Sequence, residues 1–328
     1  MISYIIRRVL LTIPTIMVIS LISFVIIQLP PGSWLDTHIA SLMEQGEDLD
    51  EAEIAAIKAM YGLDKPMPMQ YLRWVWNSLH GNFGISYEWG EPVGNLIWER
   101  LLLTVTISFT TMIFIWVVSF PVAIYSATHQ YSVLDYLFSF LGFVGMGVPS
   151  FLIALVALWI GFRYFGVDLA GLFSDQYMEA PWSWGKVLDM FKHIWLPLLV
   201  LGIGGTAGLI RRTRANLLDE IRKPYVTTAR AKGLSERKLL FKYPVRVALR
   251  PFIATVGYQL PRLVSAGGIV AVVLSLPTSG PLLLRALMTQ DMFLAGTFVM
   301  MLSILTVIGT MFSDILLVFV DPRIRYEG

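Results

Sequence analysis

The chain has 328 residues and 36.9 kDa, with 56% hydrophobic and 15% charged residues, a net charge of +2 and a mean hydropathy of +0.67. A water-soluble domain carries roughly 25% charged residues, so this composition excludes one and calls for a bilayer as solvent. The absence of cysteine excludes a disulfide framework and thiolate catalysis, and four scattered histidines (His38, His80, His129 and His193) argue against a metalloenzyme.

A hydrocarbon core about 30 Å thick needs roughly 20 mostly apolar residues in a helix. Six stretches are read as spans, approximately 9 to 29, 102 to 127, 136 to 162, 195 to 210, 252 to 276 and 296 to 320. The first follows Arg7 and Arg8, is too long for a secretory h-region and lacks a small-residue cleavage site before Pro30-Pro31-Gly32, so residues 1–29 read as a retained anchor. Residues 30–100 are acidic (Asp36, Glu44, Glu47, Asp48, Asp50, Glu51 and Glu53 among others) and form an extracytoplasmic cap. Within it, acid at Asp50-Glu51-Ala52-Glu53 opens a helix that ends at Tyr61-Gly62. Pro66 and Pro68 break the chain, Met69 to Leu79 makes a short amphipathic helix, and Gly81 and Gly84 stop it. Trp74, Trp76, Trp89 and Trp98 read as interfacial anchors.

Residues 101–328 form the transmembrane core. The fourth span is the shortest, with Pro197 tolerated in its first turn, and its Gly202, Gly204, Gly205 and Gly208 read as a close-packing face, as do Gly267-Gly268 in span five. Between spans four and five, twelve Arg and Lys residues from Arg211 to Arg250 face only Asp219, Glu220 and Glu236. Lys and Arg near span ends stay cytoplasmic, which places 214–250 inside and, with six spans, both termini on the same side. That agrees with Arg7, Arg8, Arg323 and Arg325. After a helical continuation through Ile221, Pro224 interrupts, Tyr225 to Ala231 forms a short helix with Gly233 as C′ residue, and Ser235 restarts another. Two short helices meeting at a glycine make an elbow.

The string Tyr225-Val226-Thr227-Thr228-Ala229-Arg230-Ala231-Lys232-Gly233-Leu234-Ser235 resembles the coupling-loop signature of ATP-binding-cassette importer permeases of the oligopeptide and dipeptide type. In the same order, Tyr4-Ile5-Ile6-Arg7-Arg8, Tyr61-Gly62-Leu63-Asp64-Lys65-Pro66, Gly81-Asn82-Phe83-Gly84-Ile85-Ser86 and the closing Asp321-Pro322-Arg323 resemble that family along essentially the whole chain. The chain departs from the family pattern at Ala271, where an acid is usual, at Pro277-Thr278-Ser279-Gly280, where Pro-Gly-x-Gly is usual, and at Leu317, where tyrosine is usual.

The resemblance implies an all-α integral membrane fold of six transmembrane helices, a type I importer permease with a coupling-helix loop. Thr227, Thr228, Ala229, Arg230, Ala231, Lys232, Gly233, Leu234 and Ser235 would take up the motion of an ATPase; the small Ala229 and Ala231 permit close approach, and Arg230 and Lys232 are available to acids of the partner. Its implied partners are a second homologous permease, two ATPase subunits and an extracytoplasmic solute-binding protein. No nucleic-acid partner is expected. ATP and Mg belong to those ATPases, since no G-x-x-x-x-G-K-[ST] loop occurs here and the chain itself binds no cofactor. Gln259, Arg262 and Asp314 are assigned to the translocation path. At 1.5 Å per residue Arg262 lies about 16 Å from Pro251 and Asp314 about 10 Å from Asp321, so the two charges are at depths where they can pair. Trp34, Trp89, Trp182 and Trp184 are assigned to an outer vestibule or to docking of the binding protein. The implied solute is an oligopeptide; the family also imports oligosaccharides, and flat indole faces suit sugar rings, which tips the reading to an oligosaccharide. An ion-coupled secondary transporter is the alternative, but it wants internal repeats and midplane carboxylates, for which Asp314 alone is poor support. A membrane enzyme lacks any nucleophile-base pair.

Overall fold

The computed structural model describes residues 2–28, 65–86, 88–249, 252, 267–289 and 291–320. The Asp50 to Met60 helix, Trp34, Gln259 and Arg262 lie outside these residues, as does the side chain of Asp314. Among the described residues the chain is helical, with one isolated bridge between Ile85 and Pro92.

Helix α1 (Ile2–Gln28) carries the first apolar stretch, and α2 (Met67–Leu79) starts with proline in its first turn, where the missing N–H costs nothing. The two meet through Phe24, Tyr71 and Trp74, and Ser20 Oγ lies 2.8 Å from the Tyr71 hydroxyl. Helix α3 (Val93–Thr128) is one long rod containing the second span. The expected third span is not a single rod: α4 (Val133–Gly147) and α5 (Ser150–Ile160) meet at an angle of 104°. The cause is Pro149, which removes a helical N–H and pushes Val148 to extended backbone (φ −94°, ψ 126°).

A bend of 47° separates α6 (Trp184–His193) from α7 (Trp195–Ile221), and α7 then runs unbroken eleven residues past the expected end of span four. After α8 (Pro224–Ala231), α9 (Glu236–Lys242) and α10 (Pro244–Ala248), residues 267–273 are helical, followed by α11 (Ser279–Met288) and α12 (Met292–Val320). Helices Val93–Thr128 and Phe293–Phe312 are long and apolar enough to cross a bilayer, as are the two bent pairs if each is one span, while Val9–Val25 is a shorter apolar helix.

Helix α7 is the centre of the molecule, packed on α3, α4 and α5. Its glycines permit this: a Cβ on Gly202 would stand 2.8 Å from Phe114, and one on Gly205 2.7 Å from Ile115. Gly204 faces the Gly145 carbonyl of α4, whereas Gly208 faces open space and takes no part in the packing. Near one end, Leu103, Ile107, Leu172, Met190, Val200 and Leu274 join α3, α6, α7 and the 267–276 segment. Toward the same end, Val93, Ile97, Leu294 and Phe298 join the starts of α3 and α12. At the opposite end, Ala127, Leu217, Val245 and Ala248 fasten α10 to α3 and α7.

Candidate functional site

Residues 222–243 build the elbow from local rules. Lys223 is extended and Pro224 opens α8, its fixed φ suited to a first turn. The helix closes by a Schellman motif: Gly233 N–H donates to Arg230 O at 3.0 Å and Leu234 N–H to Ala229 O at 3.4 Å. Gly233 has φ +79°, and a Cβ there would meet nothing within 4 Å, so the glycine is required by the backbone and not by crowding. Ser235 is the N-cap residue of α9, with Glu236 in the first turn, where the helix dipole favours acid.

Across the turn the guanidinium of Arg230 takes both carboxylate oxygens of Glu236, with Nη2 to Oε2 at 3.0 Å. These hydrogen bonds hold the Glu236 carboxyl below the usual glutamate range and push Arg230 up. A depressed carboxylate contributes stability above its unfolded pKa and loses it as the pH falls through the folded one, so the clasp is intact at neutral pH and opens only in acid. Both groups are exposed, so the contribution is small.

Val226, Ala229 and Leu239 are buried between the two short helices, with Leu234 and Tyr243 against them. Ala229 thus fills the elbow's own core, and Arg230 is engaged within the chain by Glu236. Of residues 227–235, Thr227, Thr228, Arg230, Ala231, Lys232, Gly233 and Ser235 are exposed. The elbow is tied to the body at both ends, through the Tyr225 hydroxyl to Glu220 at the end of α7 and through α10 packed on Leu217.

Higher on α7, Arg214 grips Asp135 of α4 with two prongs, Nε to Oδ1 at 3.1 Å and Nη2 to Oδ2 at 2.9 Å. Asp135 is 3% exposed and also accepts the Tyr131 N–H. Sequence reading missed this pair, although Ser132-Val133-Leu134-Asp135 has the spacing of a capping box and Ser132 does accept the Asp135 N–H. It also missed Asp291, which is completely buried, receives the Ser86 hydroxyl and the Glu88 N–H, and caps α12 through Leu294 N–H. An acid immediately before a long apolar run was the available signal.

The tryptophans assigned to the far end have structural neighbours. Trp89 lies under the Arg285 guanidinium at 4.8 Å, and Arg285 also pairs with Glu88. The buried ammonium of Lys186 sits 5.2 Å from the Trp182 ring and 5.0 Å from Phe173, and donates to Ala180 O. Trp184 stands exposed at the start of α6. Ala271, in place of the family's acid, is packed among Leu103, Ile107 and Leu274, beside a narrow cleft lined by Thr104, Ser108, Thr278 and Ser279. There the Thr104 hydroxyl donates to Ser279 Oγ at 2.9 Å and accepts the Ser279 N–H.

Residues 119–326 match the family described as "Binding-protein-dependent transport system inner membrane component", and residues 1–110 match its N-terminal companion. The chain is 34% identical over 327 residues to the oligopeptide transport system permease protein AppB of Bacillus subtilis (strain 168), covering 99% of this chain and 100% of that one. It is 31% identical over 359 residues to the peptidoglycan transport system permease protein YejB of Agrobacterium fabrum, covering 99% and 98%. Its fold resembles that of a chain in the inward-facing MetNI methionine ABC transporter, with a TM-score of 0.52 at 16% identity over 69% of this chain and 96% of that one.

Proposed function

The chain belongs to the family of inner-membrane components of binding-protein-dependent transport systems, and on that premise we propose that its elbow, residues 224–242, is the part that receives the stroke of a separate ATPase. The protein is a multi-pass permease subunit of an ABC importer. The observation that carries the coupling role is the construction of the elbow: a closed, internally bonded protrusion whose two ends are fixed to α7. A rigid projection transmits displacement, whereas a loose loop would absorb it.

The assembly we propose has two such permeases, two ATPases that hold ATP and Mg, and one extracytoplasmic solute-binding protein. Thr227, Thr228, Ala231, Lys232, Gly233 and Ser235 meet the ATPase, with Ala229, Arg230 and Leu234 shaping the elbow behind them. Six spans put 214–250 and both termini in the cytoplasm. The translocation path runs by Gln259, Arg262 and Asp314, and Trp34, Trp89, Trp182 and Trp184 belong to the outer surface. The orientation is testable because the chain has no cysteine. Ser86 is fully buried and unsuited to labelling, so single cysteines at the exposed Asn82 and Ser235 are the choice. An impermeant maleimide is expected to reach them from opposite sides; labelling of both from one side rejects the arrangement.

For the solute we propose short peptides. Relatives along the whole chain are named for oligopeptide and peptidoglycan transport, and two of the tryptophans that suggested sugar stacking lie against cationic side chains of the protein. Uptake of a labelled tetrapeptide by the reconstituted importer is expected to require ATP and to be competed by tri- to hexapeptides. Competition by short glycans, with peptides inert, restores the oligosaccharide reading.

A further inference from the structure

Helix α7 enters the elbow directly, since only Arg222 and Lys223 separate Ile221 from Pro224. Arg214 is seven residues before Ile221, about two helical turns or 10 Å from the elbow. At that level α7 is joined to α4 in two independent ways. One is the paired bond to Asp135, a planar fork on a carboxylate, which fixes orientation as well as distance. The other is close backbone packing farther along: a Cβ on Gly145 would stand 3.1 Å from Ile203, one on Gly204 3.4 Å from the Gly145 carbonyl, and one on Gly142 3.8 Å from Ala207. Such contacts leave little room for sliding. Beyond them, α4 ends at the 104° bend, where the extended Val148 and Pro149 break the helical hydrogen bonds that would otherwise stiffen the joint.

We propose that Asp135 and Arg214 are positioning residues that lock α4 to α7, so that a stroke delivered at the elbow moves both helices as one arm, which flexes against α5 at Val148–Pro149. The arm also carries the α3–α4 turn, because Asp135 holds the Tyr131 N–H of that turn, where Tyr131 has φ +63°. Neither residue touches solute or nucleotide. Their work is to convert movement of the protrusion into movement of the third membrane segment. The proposal rests on the coupling role of the elbow.

The test uses the complete importer in proteoliposomes, reading solute moved per ATP hydrolysed. Asp135→Asn and Arg214→Gln are expected to lower that ratio roughly 2- to 30-fold, the range over which residues between two sites modulate coupling. Arg214→Lys, which keeps the charge and loses the fork, is expected to fall less, and the exchange Asp135→Arg with Arg214→Asp to recover part of the loss. An unchanged ratio in Asp135→Asn and Arg214→Gln overturns the proposal. Spin labels in the otherwise native chain give an answer even if those variants fail to assemble. The distance between positions 140 on α4 and 215 on α7 is expected to stay constant between nucleotide-free and ATP-trapped importer, while that between 140 and 159 on α5 changes. A change in the first pair as large as in the second overturns it. If Ala229→Glu keeps full ATP-dependent uptake, the coupling role of the elbow fails instead.

Discussion

Ala229→Glu is expected to abolish uptake, by more than about 100-fold, while leaving membrane insertion intact. Ala229 lies between Val226 and Leu239 in the only apolar core that helices of 8 and 7 residues share. Helices this short are not stable alone in water, so their packing is what holds the elbow. A carboxylate in that position has no partner, since Arg230 is already bound to Glu236. Several kcal/mol of desolvation per ion exceeds what so small a core returns, and the elbow opens. Ala231→Glu is the control. Ala231 is exposed, so the same charge there changes only the outer face, and a partial loss is expected. Uptake and pull-down of the ATPase by each variant check this. Full uptake by the Ala229 variant would show that the elbow core is dispensable.

Asp291→Ala is expected to destabilise the far end of the protein by about 3–5 kcal/mol, the combined value of hydrogen bonds to a charged acceptor and of a helix cap. One buried carboxylate organises three things here. It caps α12 at Leu294, holds the Ser86 hydroxyl and the Glu88 N–H, and thereby sets Gly84 against Phe293. Removing it strands two donors away from water. The melting temperature of the purified importer should fall by several degrees, with Asp291→Asn intermediate because an amide oxygen still caps the helix. Ser86→Ala, which deletes one donor and leaves the carboxylate its backbone partners, should cost about 1 kcal/mol. Equal melting of Asp291→Ala and the native chain would mean that the turn is held by its own backbone bonds.

Composition alone required a membrane protein, and local order alone carried much of what followed. Pro224, Gly233 and Ser235 act within a few residues of themselves, through a fixed φ, a positive φ and an N-cap position, so the elbow was readable without any tertiary contact. Pro66 and the apolar spacing of Tyr71 and Trp74 fixed α2 for the same reason. The full coupling string was also legible as a resemblance.

Tertiary structure decided which way the same residues face. Thr227 to Ser235 form a continuous string in sequence, yet Ala229 turns inward onto Leu239 and Ala231 outward, because the α8–α9 contact selects one face of each helix. Arg230 closed on Glu236 instead of waiting for a partner, since six residues and a glycine turn bring the two side chains within reach. Asp135 and Arg214 are 79 residues apart, and Ser86 and Asp291 are 205 apart. Local spacing marks each of those acids as a helix-start residue, but charge and hydrogen-bonding capacity do not name a partner. The partner is chosen by helix packing, which brings one distant donor to a carboxylate that burial has already removed from water.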